Sequence, residues 1–440
     1  MQTHFTVEQL ADPALRESAK ALRSCVHCGI CLPTCPTYAL LGDERDSPRG
    51  RIYLIKDMLE NDRPATEEVV THIDRCLSCS ACMTACPSGV HYQHLIDHAR
   101  AHVEATYRRP WHDRILRALL AWLLPFPERF RWALRLAPLA RPFRRLLSGR
   151  LAAMFSLLPE RLPKRQTDEC FPATGVRRAR VALLAGCVQS VIAPSINAAA
   201  IRLLNRHGVT VAMPKQNGCC GAIVHHLGKE EQARHLAIAA MQTWQAMLDG
   251  EGLDAILVTA SGCGTEIKDY GHIFRDDPVW AEPARRISAL ARDITEYIAG
   301  LDLKWAWVGG NPMVVAYHAP CSLQHGQKIV REPKRLLDAA GFTVRDIPEG
   351  HLCCGSAGTY NLLQPEIASR LRDRKLGNIA RVAPEIVATG NIGCMTQLSS
   401  GTGIPIVHTV ELLDWATGGP MPRALTAMDR VRASVDQEAK

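Results

Sequence analysis

The sequence predicts a multidomain chain of mixed α+β and α/β class, with a mainly helical N-terminal domain followed by two copies of an α/β unit. Three observations predict it. CVHCGICLPTCP, which starts at Cys25 and sets four cysteines within eleven residues, recurs fifty-one positions later as CLSCSACMTACP. Further on, short β-rich apolar runs alternate with helical patterns such as 196–207 and 230–248, the rhythm of parallel strands buried under helices. That rhythm is duplicated: RVALLAGC, NGCCGA and DAILVTASGC return as MVVAYHAPC, HLCCGSA and EIVATGNIGC, at offsets of 134, 134 and 131 residues.

Taken in order, residues 1–107 hold both cysteine runs. The connection GDERDSPRGRIYLIKDMLEN reads as a polar loop and then a helix with Ile52, Leu54, Ile55, Met58 and Leu59 on its apolar side, and a second helix is expected over 92–107. Residues 108–175 read as a basic, amphipathic helical linker in which Ile115, Leu116, Leu119, Leu120 and Leu123 recur at helical spacing until prolines break it. The first α/β copy is expected over 176–308, the second over 309–425, and a tail over 426–440.

Bulk properties narrow the function classes. The 440 residues, 47% of them hydrophobic, suffice for two to four domains. MQTHFTVEQLADPALRESAK has no apolar run behind a basic start, so no secretory signal is read and the chain is expected in the cytoplasm. Seventeen cysteines in a reducing compartment point to metal ligands or redox groups, not disulfides. The longest apolar run, ALLAWLLPFP, falls well short of the roughly twenty residues a membrane-crossing helix needs. Residues 108–165 carry fourteen Arg or Lys against Asp113, Glu128 and Glu160, which more than accounts for the net charge of +8. With Trp111, Trp122, Phe126, Phe130 and Trp132 interspersed, this segment suits either peripheral contact with an anionic bilayer or docking on an acidic partner subunit. No nucleic-acid module is visible, so no nucleic-acid partner is expected.

The spacing C-x2-C-x2-C-x3-C-P is the ligand run of a two-cluster ferredoxin, in which three thiolates take three irons of one [4Fe-4S] cube and the fourth reaches the other cube. By that rule Cys25, Cys28, Cys31 and Cys86 hold one cluster, and Cys76, Cys79, Cys82 and Cys35 hold the second. Pro36 and Pro87 turn the chain away, while Gly29, Ser80 and Ala81 let backbone amides approach the inorganic sulfurs. Structural zinc, the competing reading, wants pairs of Cys or His across a long gap. His27 reads as a solvent-facing filler. Two neighbouring cubes pass single electrons, with cysteines as ligands and not nucleophiles, so no catalytic residue is expected in this chain.

Each repeat adds four cysteines: Cys187, Cys219, Cys220 and Cys263, then Cys321, Cys353, Cys354 and Cys394. They follow strands or glycine turns, and open parallel sheets place their sites at the carboxyl ends of strands. Gly221 and Gly355 give two adjacent thiolates the freedom to point at one centre. One reading is a further metal or cluster in each half. The other is buried cysteine filling small apolar holes. His225, His226 and His318 read as ordinary satisfied or exposed histidines. No flavin, nicotinamide or phosphate-loop fingerprint can be traced, so substrate oxidation is expected in another polypeptide.

CVHCGICLPTCPTYALLGDERDSPRGRIYLIK, DRCLSCSACMTACPSGV, GCCGAIVHHL, TASGCG, HLCCGSAGTY and NIGC together resemble the iron-sulfur subunits of bacterial glycolate oxidase (glycolate dehydrogenase) over nearly the whole chain. The doubled run plus two CCG domains is shared with the anaerobic glycerol-3-phosphate dehydrogenase small subunit, lactate-utilisation proteins and heterodisulfide reductase subunits. GDERDSPRGRIYLIK and LCCGSAGTY favour the glycolate branch. The resemblance implies a complex in which an FAD-bearing subunit, with a related third subunit, oxidises glycolate to glyoxylate and also accepts D-lactate. This chain, holding no FAD itself, would carry the electrons to a quinone or another acceptor, peripherally on the cytoplasmic face of the inner membrane. Where heterodisulfide reductase subunits place a fifth cysteine in each half, this sequence has Glu266 and Gln397, so an additional cluster and a relic scaffold both stand open. Two other functions compete with the conduit: a self-sufficient thiol-disulfide or quinone reductase working at a CCG centre, and a noncatalytic assembly protein.

Overall fold

The computed structural model describes residues 1–140, 149–159, 161–166, 168–214, 218–306 and 313–426. Glu160, Asn217 and all but the first residue of the tail expected over 426–440 lie outside the described residues. The N-terminal part is helical. Pro13–Ser24, Pro48–Glu60, Glu67–Asp74 and Tyr92–Thr106 converge on one core that includes Leu22, Ile52, Ile55, Met58, Ile73, Leu95 and Ile96. Capping explains where three of these helices begin. Asp12, Ser47 and Thr66 each accept a backbone N–H of the first turn, and Pro13 and Pro48 occupy the position where proline costs no hydrogen bond.

Two sheets follow. The first comprises β1 (Cys170–Phe171), β2 (Ala179–Leu183), β3 (Val209–Ala212), β4 (Ala255–Val258) and β5 (Ala291–Asp293), in the order β1-β3-β2-β4-β5. All pairs are parallel except β1 with β3. The second comprises β6 (Val314–Tyr317), β7 (Thr343–Asp346), β8 (Ile386–Thr389) and β9 (Ile406–His408), parallel throughout in the order β7-β6-β8-β9. Without the edge strand β1 the two orders are the same, so the sequence repeat is a repeat of topology. The fully buried runs AILV of β4 and IVAT of β8 are what a parallel strand covered on both faces requires. Edge strand β7, TVRD, carries charge and is mostly exposed.

The halves share one core. Val181, Leu183 and Leu257 from the first sheet and Val315, Tyr317 and Ala388 from the second belong to the same buried cluster as residues of helices Pro194–Arg206 and Thr409–Ala416. Asp414, fully buried, accepts from Arg202 Nε at 3.0 Å and from Arg206 Nη2 at 2.6 Å. His408, at the end of β9, reaches across to the Thr259 carbonyl of the first half with Nε2, while its Nδ1 accepts the Val410 N–H.

The basic segment contributes helices Trp111–Leu123, Pro127–Ala140 and Gly149–Ser156. Trp111–Leu123 has two apolar stripes where the sequence suggested one. Leu120 and Ala121 pack with Val224, Leu227 and Leu363, which ties both halves together, whereas Ile115 and Leu119 face out beside Trp111 and Trp122. Several of its arginines are internal ties. Arg109 and Arg117 pair with Asp74 at 2.6 and 2.8 Å, and Arg150 pairs with Asp113 at 2.6 Å. Phe126 and Phe130 are half-buried, leaving Trp111, Trp122 and Trp132 as the exposed aromatics among the described residues of this region.

Candidate iron-sulfur centres and the cysteine quartets

The two N-terminal runs fold around two cavities. One is lined by Cys25, Cys28, Cys31, Cys82 and Cys86; the other is lined by Cys35, Cys76, Cys79 and again Cys82. Each run therefore sends its last cysteine to the cavity of the other. The backbone repeats as well. His27 and Gly29 have φ of 56° and 80°, and Ser78 and Ser80, fifty-one positions on, have φ of 50° and 57°. Three of these four pay left-handed strain without being glycine, and turns of this kind gather backbone N–H groups into a concavity suited to an anion. Burial, then neighbouring thiolates, keep Cys79 and Cys82 protonated far above the ordinary thiol range, and Cys31 is pushed up to about 11. Iron binding would displace these protons, and thiols gathered in this spacing around two cavities are a donor set that fits two [4Fe-4S] cubes.

His27 departs from the expectation of a solvent-facing filler. Its ring lies on that of Tyr53, with centroids 4.5 Å apart, and neither ring nitrogen has a partner among the described residues. The phrase between the runs also acquires a structural role that spacing did not reveal. Arg51 is 1% exposed; it donates to the His72 carbonyl at 2.7 Å and to Thr37 Oγ1 at 3.0 Å, and its Nη1 lies 3.8 Å from Cys35 Sγ. Burial opposes its charge, yet Cys76, Tyr92, Cys35 and Asp46 hold its pKa above the ordinary arginine value. Asp46, fully buried, is shared by Arg51, Arg75 and His72. From the other side, Arg100 donates to the Cys76 carbonyl at 2.6 Å. Buried cations beside this cavity favour an anionic occupant.

In the α/β halves the cysteines converge at the carboxyl ends of the strands. Cys187 follows β2, Cys219 and Cys220 follow β3, and Cys263 sits in the first turn of Ser261–Ile273, after β4. Their thiols are electrostatic neighbours in sequence, Cys187 with Cys219, Cys219 with Cys220 and Cys220 with Cys263. The second half matches. Cys321 Sγ lies 3.8 Å from Cys353 Sγ, and Cys354 is the electrostatic neighbour of both Cys353 and Cys394. Gly355 makes this possible: at φ +89° a Cβ there would stand 2.4 Å from the Ala368 carbonyl, and the Gly355 N–H donates to Cys353 Sγ at 3.4 Å.

The surroundings of the two quartets differ. Beside the first, Glu266 is buried and paired with His225 at 2.8 Å. Burial opposes the His225 charge, but Glu266 and Asp97 raise its pKa to about 10. Beside the second, Gln397 takes the place of Glu266 and bonds Asn361. There Lys375, 2% exposed, donates to the Glu349 carbonyl at 2.7 Å; burial lowers its pKa while Cys354 and Cys353 oppose that shift. His318 is also buried here. Desolvation drops its pKa to about 3, and its Nε2 has no partner among the described residues, so it is neither satisfied nor exposed.

The quartets adjoin one another. Cys79 shares a buried cluster with Cys353 and is packed with Cys321, sealed by Leu77, Tyr360 and Leu371. Ser261, two residues before Cys263, meets Ser322, one after Cys321, with hydroxyls 2.7 Å apart. A chain of sulfur sites thus runs from the dicluster cavities through the second half toward the first.

Fold and sites define an iron-sulfur protein with a helical dicluster domain on a duplicated cysteine-rich α/β body. The 4Fe-4S dicluster domain model matches residues 21–90, and the Cysteine-rich domain model matches twice, at 181–268 and 315–399. The chain is 41% identical to the "Glycolate oxidase iron-sulfur subunit" of Escherichia coli (strain K12), covering 94% of this chain and 99% of that one. It is 30% identical to the "Probable glycolate oxidase iron-sulfur subunit" of Bacillus subtilis (strain 168), covering 90% and 94%. Identity to "Lactate utilization protein A" of Exiguobacterium sp. (strain ATCC BAA-1283 / AT1b) is 28%, over 53% of this chain and 96% of that one. A crystal structure of a hypothetical protein from Helicobacter pylori shares the fold at a TM-score of 0.53 and 10% identity, covering 96% of this chain and 75% of that chain. The chain belongs to the glycolate oxidase iron-sulfur subunit family.

Proposed function

We propose that this chain is the electron-transfer subunit of a flavin-dependent complex that oxidises glycolate, and D-lactate, to the 2-oxo acid. It takes single electrons from reduced FAD in a partner subunit, which a related third subunit accompanies, and delivers them to a quinone or another membrane acceptor. The observation that carries this reading is the pair of adjoining cavities, in each of which three cysteines of one run meet the last cysteine of the other, with Cys82 lining both. Cys25, Cys28, Cys31 and Cys86 hold one [4Fe-4S] cluster, and Cys76, Cys79, Cys82 and Cys35 hold the second. Such clusters supply one-electron storage at potentials set by charge and hydrogen bonds around the sulfurs. The chain's own part is to bind them, exclude water and compensate their negative charge, the last through Arg51 and Arg100. Lactate as the main substrate is the second reading, supported by the likeness to a lactate utilization protein.

Membrane contact belongs to the same proposal. No helix among the described residues is long and apolar enough to cross a bilayer. Trp111, Ile115, Leu119 and Trp122 are exposed along one helix, and Trp132 and Leu136 on the next, with Arg114 and Arg135 exposed among them. Aromatic and basic side chains in this pattern suit peripheral binding to anionic lipid on the cytoplasmic face of the inner membrane.

The test is Cys28→Ser and Cys79→Ser in the assembled complex. Glycolate should still bleach the partner's flavin while reduction of a soluble quinone analogue is lost. Acceptor reduction at the unmodified rate in both variants would reject the conduit.

A further inference from the structure

Among the differences between the two α/β halves, one lies on the strand end that leads into the cysteine quartet. Three residues ahead of Cys187, at the end of β2, stands Leu184; three ahead of Cys321, at the end of β6 and at the same 134-residue offset, stands His318. The His318 backbone N–H donates to the Ala388 carbonyl at 2.8 Å, which pins the residue between β6 and β8. Its side chain is 2% exposed. One ring nitrogen and the sulfurs of Cys354 and Cys394 all lie within 4.8 Å of one another. Nε2 has no hydrogen-bond partner among the described residues. Leaving a buried imidazole nitrogen unsatisfied costs about 1–3 kcal/mol. A leucine occupies the matching place in the first half without that cost, so the imidazole calls for a ligand.

We propose that His318 is a nitrogen donor to a metal centre held by Cys321, Cys353, Cys354 and Cys394, giving the second half a mixed nitrogen-sulfur site that the first half lacks. This rests on the reading of the quartets as metal ligands, not on the two N-terminal clusters. A neutral imidazole fills a donor position without the negative charge a further thiolate would bring, and nitrogen in the ligand set raises the potential of an iron-sulfur centre above that of an all-thiolate one. The buried Lys375 ammonium acts in the same direction. The packing of Cys79 with Cys321 and Cys353 sets this site next to the dicluster domain, so it is the better electron sink of the two halves.

The experiment is pulsed EPR on the anaerobically purified chain, with and without 15N-histidine, alongside His318→Leu and His318→Asn. One centre should show nitrogen coupling of the size that direct coordination gives, and it should change isotope with the label. Both variants should lose that coupling and lower the potential of that centre while the two N-terminal cluster signals stay as they were. The asparagine variant guards against a leucine chain that fails to fold, and the labelled unmodified chain is informative without either. Absence of coordinated nitrogen, its survival in a variant, or iron confined to the two N-terminal clusters would overturn the assignment. Loss of the N-terminal signals from the unmodified chain would instead contradict the proposed function.

Discussion

Replacing Arg51 by Met should lower the reduction potential of the cluster held at Cys35 by about 90 mV, as follows from the charge and its distance. Arg51 Nη1 stands 3.8 Å from Cys35 Sγ, in a site with almost no solvent. Unit charges at that separation interact by about 4 kcal/mol at an effective dielectric constant near 20. An added electron spreads over the cluster beyond the ligand sulfur, so about half of that, roughly 2 kcal/mol, is the cation's share. For a one-electron couple a tenfold change is 59 mV, which converts the share to about 90 mV. Met keeps an unbranched apolar stem like that of arginine and removes the guanidinium with its charge and hydrogen bonds. Asp46 keeps Arg75 and His72, each at 2.8 Å, so the fold is expected to survive. The assay is a potentiometric EPR titration of the unmodified chain, Arg51→Met and Arg51→Lys, with the lysine variant expected to stay within about 30 mV. A folded methionine variant with both clusters present and an unshifted potential would refute the electrostatic role.

Three further outcomes are expected. Gly355→Ala forces a side chain into a left-handed position 2.4 Å from the Ala368 carbonyl and should cost about 3 kcal/mol, seen by calorimetry; Gly221→Ala, whose Cβ would stand 2.9 Å from the Ala233 carbonyl, should cost less. His408 is fully buried, and desolvation lowers its pKa to about 4. The unfolded chain therefore takes up this proton first, and the histidine's contribution is intact above about pH 6.5 and declines as pH falls toward 4, by up to about 3 kcal/mol. Melting temperatures between pH 7 and 5 should fall less steeply for His408→Gln, and equal slopes would contradict this. Replacing Trp111, Trp122 and Trp132 together by Ser should weaken sedimentation with anionic vesicles roughly tenfold or more, while added salt weakens both proteins; an unmodified chain that ignores such vesicles would end the membrane proposal.

What could be read from the sequence depended on how local the cause was. Ligand runs are local: the distance a chain can turn in two or three residues decides which thiolates share a centre, so the sharing of Cys86 and Cys35 between cavities followed from spacing. The α/β rhythm and its 134-residue offset likewise made the repeated topology and the strand-end position of the CCG cysteines legible. Arg51 and Lys375 were not, because a buried cation looks like a surface cation until distant segments close over it. Left-handed serines at 78 and 80 carried no compositional signal, although Gly29 at the matched position did. The two stripes of Trp111–Leu123 were missed because periodicity reports that apolar residues share a helix, not that the helix divides them between a core and the outside.

The most direct test of the account is to purify the chain without oxygen, count iron and acid-labile sulfide, and record the reduced EPR spectrum. About eight irons with as many sulfides and two spin-coupled [4Fe-4S] signals are predicted as the minimum, rising to about twelve to sixteen if the α/β halves are loaded. Colourless protein, or zinc in place of iron with no cluster signal, would contradict it.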